Sequence, residues 1–379
     1  MRGFKTIKKQ PTQPQSQPQY EVADVLNKLG SKLEDLGLNS WQLRTLFALK
    51  KCRTSALGGH IDACDECGNI SISYNSCRNR HCPKCQGRNR EDWIQTRETE
   101  LLPVPYFHVV FTLPDHLNSL ALHQPKMLYD ILFESAWETL QTFGKNKNLQ
   151  MGMIAVLHTW GQNLSLHPHL HCIVPGGGVD ESGTWKNLHS DGKFLFPVKA
   201  LSKVFRAKFC EKLKANLKDK FNENQENEYE KIRQSLWEKP WVVYAKKPFG
   251  SPKSVVEYLG RYSHKIAVSN QRIRKIDAET VTFSYKDYRQ KGIKKQMVLS
   301  HEEFIRRFAM HILPKRFVKI RHYGFLSSTW KREKLKILQQ KLGIQTKEKP
   351  LSKVFQPKCS CCKVGNLVTI ATFDLRGPP

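Results

Sequence analysis

Apolar residues recur at helical spacing near the N-terminus and in longer runs through the middle of the chain. Between residues 21 and 52 the repeat of Val22, Leu26 and Leu29 predicts helices. From residue 106 onward, β-branched and aromatic runs predict strands, with a helix around 127–143 between the first two. These strands are predicted over residues 106–113, 154–160 and 169–175.

The second half of the chain alternates between charged and β-rich stretches. Residues 200–238 carry a highly charged helical pattern, which we interpret as a solvated helical insertion. Polar turns between the β-rich segments that follow indicate antiparallel hairpins, before a helix over 302–310. The hairpin segments are 266–268, 271–276, 280–285 and 294–299, and a separate β-rich run over 241–245 precedes them. The whole pattern predicts an α+β fold with a central antiparallel sheet and flanking helices.

The net charge of the chain restricts its partners. Lys and Arg number 62 against 34 Asp and Glu, which gives a formal charge of +28. This excess favours an anionic polymer, and nucleic acid is the usual one. A membrane is not expected, because the sequence has no amphipathic anchor and no run near the ~18 apolar residues of a membrane helix. Since the basic Met1–Gln10 segment lacks the apolar core of a signal peptide, we expect a cytoplasmic, nucleoid-associated protein.

Eleven cysteines in a chain expected to be cytoplasmic are better explained as metal ligands than as disulfides. Cys64 and Cys67 form one Cys-x2-Cys pair, and Cys82 and Cys85 form a second one after 14 intervening residues. Four thiolates close a tetrahedral structural site, so we predict at least one Zn²⁺ ion in this module. Further candidates suffice for a second ion, although the spacing leaves the pairing open. They are Cys52, His60, Cys77 and His81.

Basic residues surround these cysteines, among them Arg78 and Arg80, and we interpret the module as a DNA-docking platform. Charges that merely keep a small domain soluble explain them equally well. Far along the chain, Cys359 and Cys362 form a half-site. This half-site either binds zinc with ligands from elsewhere or has no metal role.

Three histidines within five residues mark the strand predicted at 169–175. Successive side chains of a strand point to opposite faces, so His169 and His171 share one face. Two neighbouring imidazoles can hold a divalent ion while leaving positions open for a substrate phosphate. We expect Mg²⁺ or Mn²⁺, although imidazoles also suit zinc, and predict His167 as the third ligand. The other candidates are Gln162 and Glu257, ahead of His158 and His264.

A second candidate site lies in a helix predicted after Pro252. Tyr258 and Tyr262 are four residues apart, so both hydroxyls lie on one face of that helix. From spacing alone, two tyrosines packing at a helix edge are the simpler explanation. Arg261 and Lys265 change the balance, because positive charge binds DNA phosphates and favours the phenolate of a nucleophilic tyrosine.

In this order along one chain, the motifs resemble the IS91-type rolling-circle transposases, two-tyrosine members of the HUH (histidine-hydrophobic-histidine) nuclease class. The resemblance runs from about residue 25 to residue 330. It implies an HUH-type sheet, attack by a tyrosine on a phosphate beside the histidine-held ion, and a covalent 5′-phosphotyrosine with a free 3′ hydroxyl. It also implies two successive strand transfers, one at each end of a mobile element. The motifs are Cys77–Cys85, His167–Val174, Phe194–Lys199, Tyr258 with Tyr262, and Arg321–Gly324.

The partner implied by this resemblance is DNA, as single strands or hairpin element ends. No nucleotide cofactor is expected, since rejoining needs no ATP and the sequence has no Walker-type motif. A homodimer is left open. Three alternatives stand beside the transposase: a non-catalytic zinc-dependent DNA-binding protein, a metal-dependent hydrolytic nuclease, and an inactive transposon remnant. The predicted divisions are a disordered tail over 1–20, a helical and zinc-binding module over 21–100, a nuclease domain over 101–300, a helical region over 301–345 and a basic tail over 346–379.

Overall fold

The structure is a computed structural model. It describes residues 18–189, 194–218, 232–246, 254–255, 257–258, 260, 264–343 and 357–374. Parts of three predicted segments lie outside the described residues: most of the 1–20 tail, the middle of the 200–238 insertion, and both ends of the 346–379 tail. None of the helices in the described part of the chain has the length and hydrophobicity needed to span a membrane.

Short runs of strands and single or paired helices follow one another along the described part of the chain. The strands are β1 (Gly59–Cys64), β2 (Ile70–Tyr74), β3 (Tyr106–Thr112), β4 (Gly152–Trp160), β5 (Leu166–Pro175), β6 (Gly177–Val179), β7 (Trp185–Asn187), β8 (Val243–Lys246), β9 (Ile273–Ile276), β10 (Thr280–Asp287), β11 (Ile293–Ser300), β12 (Ile320–Gly324) and β13 (Leu367–Phe373). The α-helices of the described part of the chain include α1 (Val22–Leu29), α2 (Ser40–Lys50), α3 (Gln86–Glu98), α4 (Asn118–His123), α5 (Pro125–Lys145), α6 (Val198–Lys218), α7 (His301–Ala309), α8 (Ser328–Arg332) and α9 (Lys334–Lys341).

A five-stranded sheet with the order β12-β4-β5-β3-β8 lies at the centre of the molecule. Every neighbouring pair in it is antiparallel. One face packs against α5 and α6 in the largest apolar core, to which Phe111 and Leu170 contribute. Phe205 of α6 meets Phe111 with ring centroids 4.9 Å apart. Burying a side chain of this size contributes about 2 kcal/mol, so this face fixes the sheet.

The opposite face of the central sheet is divided along its strands. At one end Val156 and Ile173 belong to a separate apolar cluster. At the other end the same face carries His158, His169 and His171, because residues two apart on one strand share a face. The histidines therefore lie beside the apolar cluster on the same face of the sheet.

The N-terminal helices share a core with a second sheet, of order β11-β10-β9. Val25 and Leu26 of α1 belong to the same buried cluster as Phe283 of β10 and Phe304 of α7. The rings of Phe283 and Phe304 lie 5.7 Å apart. The helices at 22–50 thus fold together with the 273–309 segment, far from them in sequence.

A third sheet, of order β13-β1-β2, forms the body of the cysteine-rich module. β1 pairs with β2 on one side and with β13 on the other. The register of β1 and β13 sets Cys64 opposite Leu367. The predicted C-terminal tail therefore supplies a strand to the N-terminal module.

The predicted α+β chain with antiparallel sheets is confirmed, and most predicted elements occur within a few residues of their expected bounds. The strand predicted over 266–268 is wrong. Ala267 and Val268 are buried in the core of the second sheet, so their apolar character reflects a buried loop. The apolar pattern predicts neither β12 nor β13. Every residue of β12 is half-buried and most of β13 is exposed, so neither shows the usual alternation.

Candidate active site and zinc clusters

Strand register brings three histidines together on one face of the central sheet. β4 pairs with β5 so that His158 lies directly opposite His169, and His171 is the next residue of β5 on that face. Each offers a ring nitrogen, and these nitrogens lie within 4.8 Å of one another. Among the described histidine, cysteine and acidic side chains, no other joins this group. We call His158, His169 and His171 the histidine cluster.

His167, the predicted third ligand, lies outside the histidine cluster, and the geometry replaces it with His158. The side chain of His167 is exposed at the start of β5. Its backbone contributes instead, because its carbonyl oxygen lies 2.6 Å from Nδ1 of His169. Of the remaining candidates, Glu257 is not in the cluster, and Gln162 follows β4 in a turn, where its part stays a prediction.

A fourth histidine, His108 of β3, connects the histidine cluster to a tyrosine. Its Nε2 lies 2.9 Å from Nδ1 of His171, and the two rings stack with centroids 5.1 Å apart. Its Nδ1 lies 3.3 Å from the hydroxyl of Tyr258. Sequence reasoning did not identify His108. The available signal was one histidine within the apolar run at 106–113.

The segment that carries Tyr258 packs on the same face as the histidine cluster. Its described residues between 254 and 260 are helical, and Val255 is buried in the apolar cluster of that face. The Nζ of Lys246 lies 5.9 Å from the centre of the Tyr258 ring. The predicted site residues Tyr262 and Arg261 lie outside the described residues.

Burial keeps the histidines of this site neutral. It lowers the pKa of His169 and of His108 to about 4. Burial, with the charges of neighbouring groups, lowers the pKa of His171 still further. At neutral pH these rings are therefore in the unprotonated form that can bind a metal ion.

The hydrogen bonds of the two β5 histidines involve Nδ1. Nδ1 of His169 faces the His167 carbonyl and Nδ1 of His171 faces Nε2 of His108, so Nε2 is the ring nitrogen that we assign to a metal ion. Histidine ligands commonly use their second ring nitrogen in this way. The residues therefore fit a divalent ion. Three imidazoles suit Mn²⁺ or Zn²⁺ better than Mg²⁺, which prefers oxygen ligands.

The first zinc cluster consists of Cys52, Cys77, Cys82 and Cys85. The sulfur of Cys85 lies 3.6 Å from that of Cys52 and 3.7 Å from that of Cys77. Sulfurs bound to one tetrahedral zinc at about 2.3 Å are about 3.8 Å apart, whereas a disulfide bond measures about 2 Å. These spacings match a zinc site.

The second zinc cluster consists of Cys64, Cys67, Cys359 and Cys362. Its sulfurs lie 3.7 Å apart between Cys64 and Cys362, and 3.8 Å apart between Cys67 and Cys359. The backbone N–H of Gly365 points at the Cys362 sulfur, and backbone hydrogen bonds lower the pKa of that thiol to about 6. A low pKa favours the thiolate that zinc binds.

The pairing of zinc ligands differs from the simplest reading of the sequence. The two Cys-x2-Cys pairs belong to different clusters, because the β1–β2 hairpin separates them and β13 brings the C-terminal pair to the first. His60 and His81, predicted as ligands, belong to neither cluster. His60 lies 3.3 Å from the carboxylate of Asp62 instead. The Cys359 and Cys362 half-site is thus completed by Cys64 and Cys67.

The predicted DNA-binding residues have different surroundings. Arg78 is exposed on the zinc-binding module. Arg80 donates to the backbone carbonyls of Pro314 and Phe317, so it also fastens the module to the rest of the protein. Lys265 is exposed near the histidine cluster, where its charge contributes to the low pKa of His169.

Comparisons with known proteins agree with this arrangement. Residues 152–334 match a family described as "Putative transposase", and residues 24–113 match one described as "Transposase zinc-binding domain". "Putative transposase y4qJ" of Sinorhizobium fredii is 40% identical over 95% of this chain and 97% of its own length. The transposase for insertion sequence element IS801 of Pseudomonas savastanoi pv. phaseolicola is 30% identical over 78% of this chain and 73% of its own length.

No solved structure matches the chain. The two relatives nevertheless cover most of it, and the zinc-binding match spans the first zinc cluster and the first pair of the second. The chain belongs to the IS91 family of transposases and carries a zinc-binding domain with two four-cysteine clusters.

Proposed function

We propose that this transposase cleaves and rejoins single-stranded DNA through a covalent phosphotyrosine, and so moves an insertion sequence by a rolling-circle-like route. The observation that supports this most strongly is the line of contacts from His171 through His108 to the Tyr258 hydroxyl. A phenol next to a set of metal ligands, on one face of one sheet, is the arrangement that such chemistry requires.

Tyr258 is the proposed nucleophile. A divalent ion bound by the histidine cluster supplies positive charge that offsets the charge developing on the scissile phosphate. The Tyr258 oxygen gives its proton to water and forms a bond to phosphorus, while the bond from phosphorus to the 3′ oxygen breaks. The departing 3′ oxygen takes up a proton and becomes a hydroxyl. Attack by a 3′ hydroxyl on the phosphotyrosine reverses these steps and rejoins the strand.

His108 is the proposed positioning residue for Tyr258. When Nε2 of His171 is the metal donor, its Nδ1 holds the proton and donates it to Nε2 of His108. His108 then holds its own proton on Nδ1 and donates to the Tyr258 oxygen, 3.3 Å away. A hydrogen bond to the phenolate favours that form, and the charge of Lys246 adds to the effect.

The proposed substrate is single-stranded or hairpin DNA at the element ends. A phosphate can contact the histidine cluster and Tyr258 at the same time only if the DNA strand lies across the sheet face that carries both. Tyr262 is proposed to carry the second of two transfers. Arg78 on the zinc-binding module, with Arg261 and Lys265, is proposed to contact the DNA backbone.

Incubation with single-stranded element ends and Mn²⁺ or Mg²⁺, followed by a denaturing gel, tests this function. The wild-type protein is expected to form a protein–DNA adduct that survives denaturation. Tyr258→Phe combined with Tyr262→Phe should abolish the adduct while DNA binding persists, and His169→Ala should abolish it too. Tyr288→Phe, which changes an exposed tyrosine far along the chain, is the matched control and should leave the adduct intact.

Two other results of the same experiment would support one of the alternative functions instead. Cleaved DNA without a covalent adduct would identify a hydrolytic nuclease that uses water. Binding without cleavage, in the wild type and in the double tyrosine variant alike, would leave a zinc-dependent DNA-binding protein.

A further inference from the structure

A small basic pocket adjoins the histidine cluster. Its polar lining consists of Arg80, His81, Lys265 and Lys319, and Trp160 forms one wall. Its other lining residues are apolar, and no acidic side chain is among them in the described part of the chain. The pocket encloses about 20 Å³, which is room for one water-sized group.

Lys319 lies between this pocket and the candidate metal site. Its Nζ donates to the Lys265 carbonyl at 2.8 Å and lies 5.2 Å from the centre of the Trp160 ring. Trp160 in turn stacks on His158 of the histidine cluster, with ring centroids 4.5 Å apart. A single aromatic ring therefore separates the ammonium group from a candidate metal ligand.

Two cations of the pocket, Arg80 and Lys319, have no carboxylate partner in the described part of the chain. Burial and the Arg80 charge lower the pKa of Lys319 to about 7. Arg80 donates only to the carbonyls of residues 314 and 317, and the buried Nε2 of His81 has no hydrogen-bond partner. A binding site for an anionic oxygen has this character, because it contains hydrogen-bond donors that no anion of the protein occupies.

We infer that this pocket is a subsite for a backbone phosphate of the DNA strand, in which Lys319, Lys265 and Arg80 bind one of its non-bridging oxygens. The inference rests on the proposed function and adds to it a phosphate next to the scissile one. The volume admits a single oxygen, so the phosphorus and the rest of the strand stay outside. Because Arg80 lies in the loop between Cys77 and Cys82, the first zinc cluster holds one wall of the subsite.

Fluorescence anisotropy with a labelled oligothymidylate, measured over a salt series without added Mg²⁺ or Mn²⁺, tests the subsite. Each phosphate contact to a single strand contributes about 0.7 to the slope of log affinity against log salt. Lys319→Met is expected to lower the slope by about 0.7 and to weaken binding about five-fold at 0.1 M salt. Lys319→Arg should keep the wild-type slope.

Lys186→Met is the matched control, since Lys186 is an exposed lysine of β7 outside the pocket and should leave the slope unchanged. Equal slopes for the wild type and Lys319→Met, with matching thermal melting, would overturn the subsite. The assay reads binding and not cleavage. If Lys319→Met lowers the slope but the wild type forms no adduct, the subsite stands and the covalent mechanism is rejected. If Lys319→Met leaves the slope unchanged and the wild type forms a normal adduct, the mechanism stands and the subsite is rejected.

Discussion

His158 and His167 both neighbour His169, one across the sheet and the other along the same strand. The ring of His158 also lies 4.6 Å from that of His171, across the same pair of strands, whereas His167 is four residues from His171 along β5, about 13 Å at the rise of a strand. Donor atoms that share one ion must converge to within about 2 Å of it. Cross-strand register therefore favours His158 as a ligand.

Replacing each of these two histidines by alanine separates their roles. We expect His158→Ala to weaken Mn²⁺ binding at least ten-fold, because a direct ligand is lost. His167→Ala keeps the carbonyl that faces His169, so its Mn²⁺ affinity should stay near the wild-type value. Calorimetric titration of Mn²⁺ into protein with filled zinc clusters measures both. A large loss in His167→Ala with none in His158→Ala would contradict the assignment.

His311 makes the stability of the protein depend on pH. Its Nδ1 lies 3.1 Å from the Thr159 hydroxyl and its Nε2 lies 3.2 Å from the Leu164 carbonyl, and burial lowers its pKa to about 4. In the unfolded chain its pKa is about 6.5. Between these values only the unfolded chain binds the proton, so the free energy of unfolding falls as the pH falls through this window.

Lowering the pH from 7 to 5.5 should therefore cost about 1 kcal/mol through His311 alone. Urea unfolding of the wild type and of His311→Asn at both pH values measures it. Between pH 7 and pH 5.5 the free energy of unfolding of His311→Asn is expected to fall by about 1 kcal/mol less than that of the wild type. The same pH dependence in both proteins would show that His311 does not contribute.

Among the elements, β12 depends on one glycine. Gly324 has a φ of +58° and pairs with Gly152 of β4. A Cβ at position 324 would overlap the carbonyl oxygen of Met151 and come within 2.8 Å of the Trp137 ring. The edge strand can approach β4 this closely only because no side chain intervenes.

Gly324→Ala is expected to lower the free energy of unfolding by about 3 kcal/mol, from backbone strain and the clash together. Gly37→Ala is the matched control, because Gly37 has a similar φ of +64° with open space around it. It should cost only about 1 kcal/mol. Chemical denaturation measures both variants, and equal losses would show that the clash is relieved without cost.

Four strands of the central sheet, β3, β4, β5 and β8, could be predicted from sequence, but β12 and the order of the strands could not. β4 is a nearly continuous apolar run and β5 ends in one, and such runs identify buried strands. Because side chains alternate between the two faces of a strand, the sequence alone predicts that His169 and His171 share a face. The register between strands adds His158 and His108, and no local pattern encodes it. The cysteines behave in the same way. Their spacing identifies each Cys-x2-Cys pair, but which pairs share a cluster depends on the pairing of β13 with β1, which the sequence does not reveal.

At the scale of the whole molecule, the second zinc cluster joins parts of the chain almost 300 residues apart. Cys64 and Cys67 come from the N-terminal module, and Cys359 and Cys362 from the C-terminal segment that also supplies β13. A bound ion at this cluster restricts the unfolded chain as a long cross-link does. We therefore expect the pairing of β13 with β1 to depend on zinc.

Metal analysis of purified protein tests this closure. In a His158→Ala background, which removes a ligand of the histidine cluster, the cysteine clusters are expected to hold two zinc ions per chain, and adding Cys359→Ser with Cys362→Ser should leave one. Cys361→Ser, an exposed neighbour outside the cluster, is the matched control and should retain two. His60→Ala should retain two as well. Two ions in the double cysteine variant, or one in His60→Ala, would contradict the ligand sets.

The central claim is that Tyr258 attacks a DNA phosphate held beside the histidine cluster. Peptide mapping by mass spectrometry, applied to the adduct formed on single-stranded element ends with Mn²⁺, tests it most directly. We predict a nucleotide attached to the peptide that contains residue 258, with loss of that modification in Tyr258→Phe and in His158→Ala. A nucleotide attached only to a tyrosine away from this face, such as Tyr288, would contradict the account.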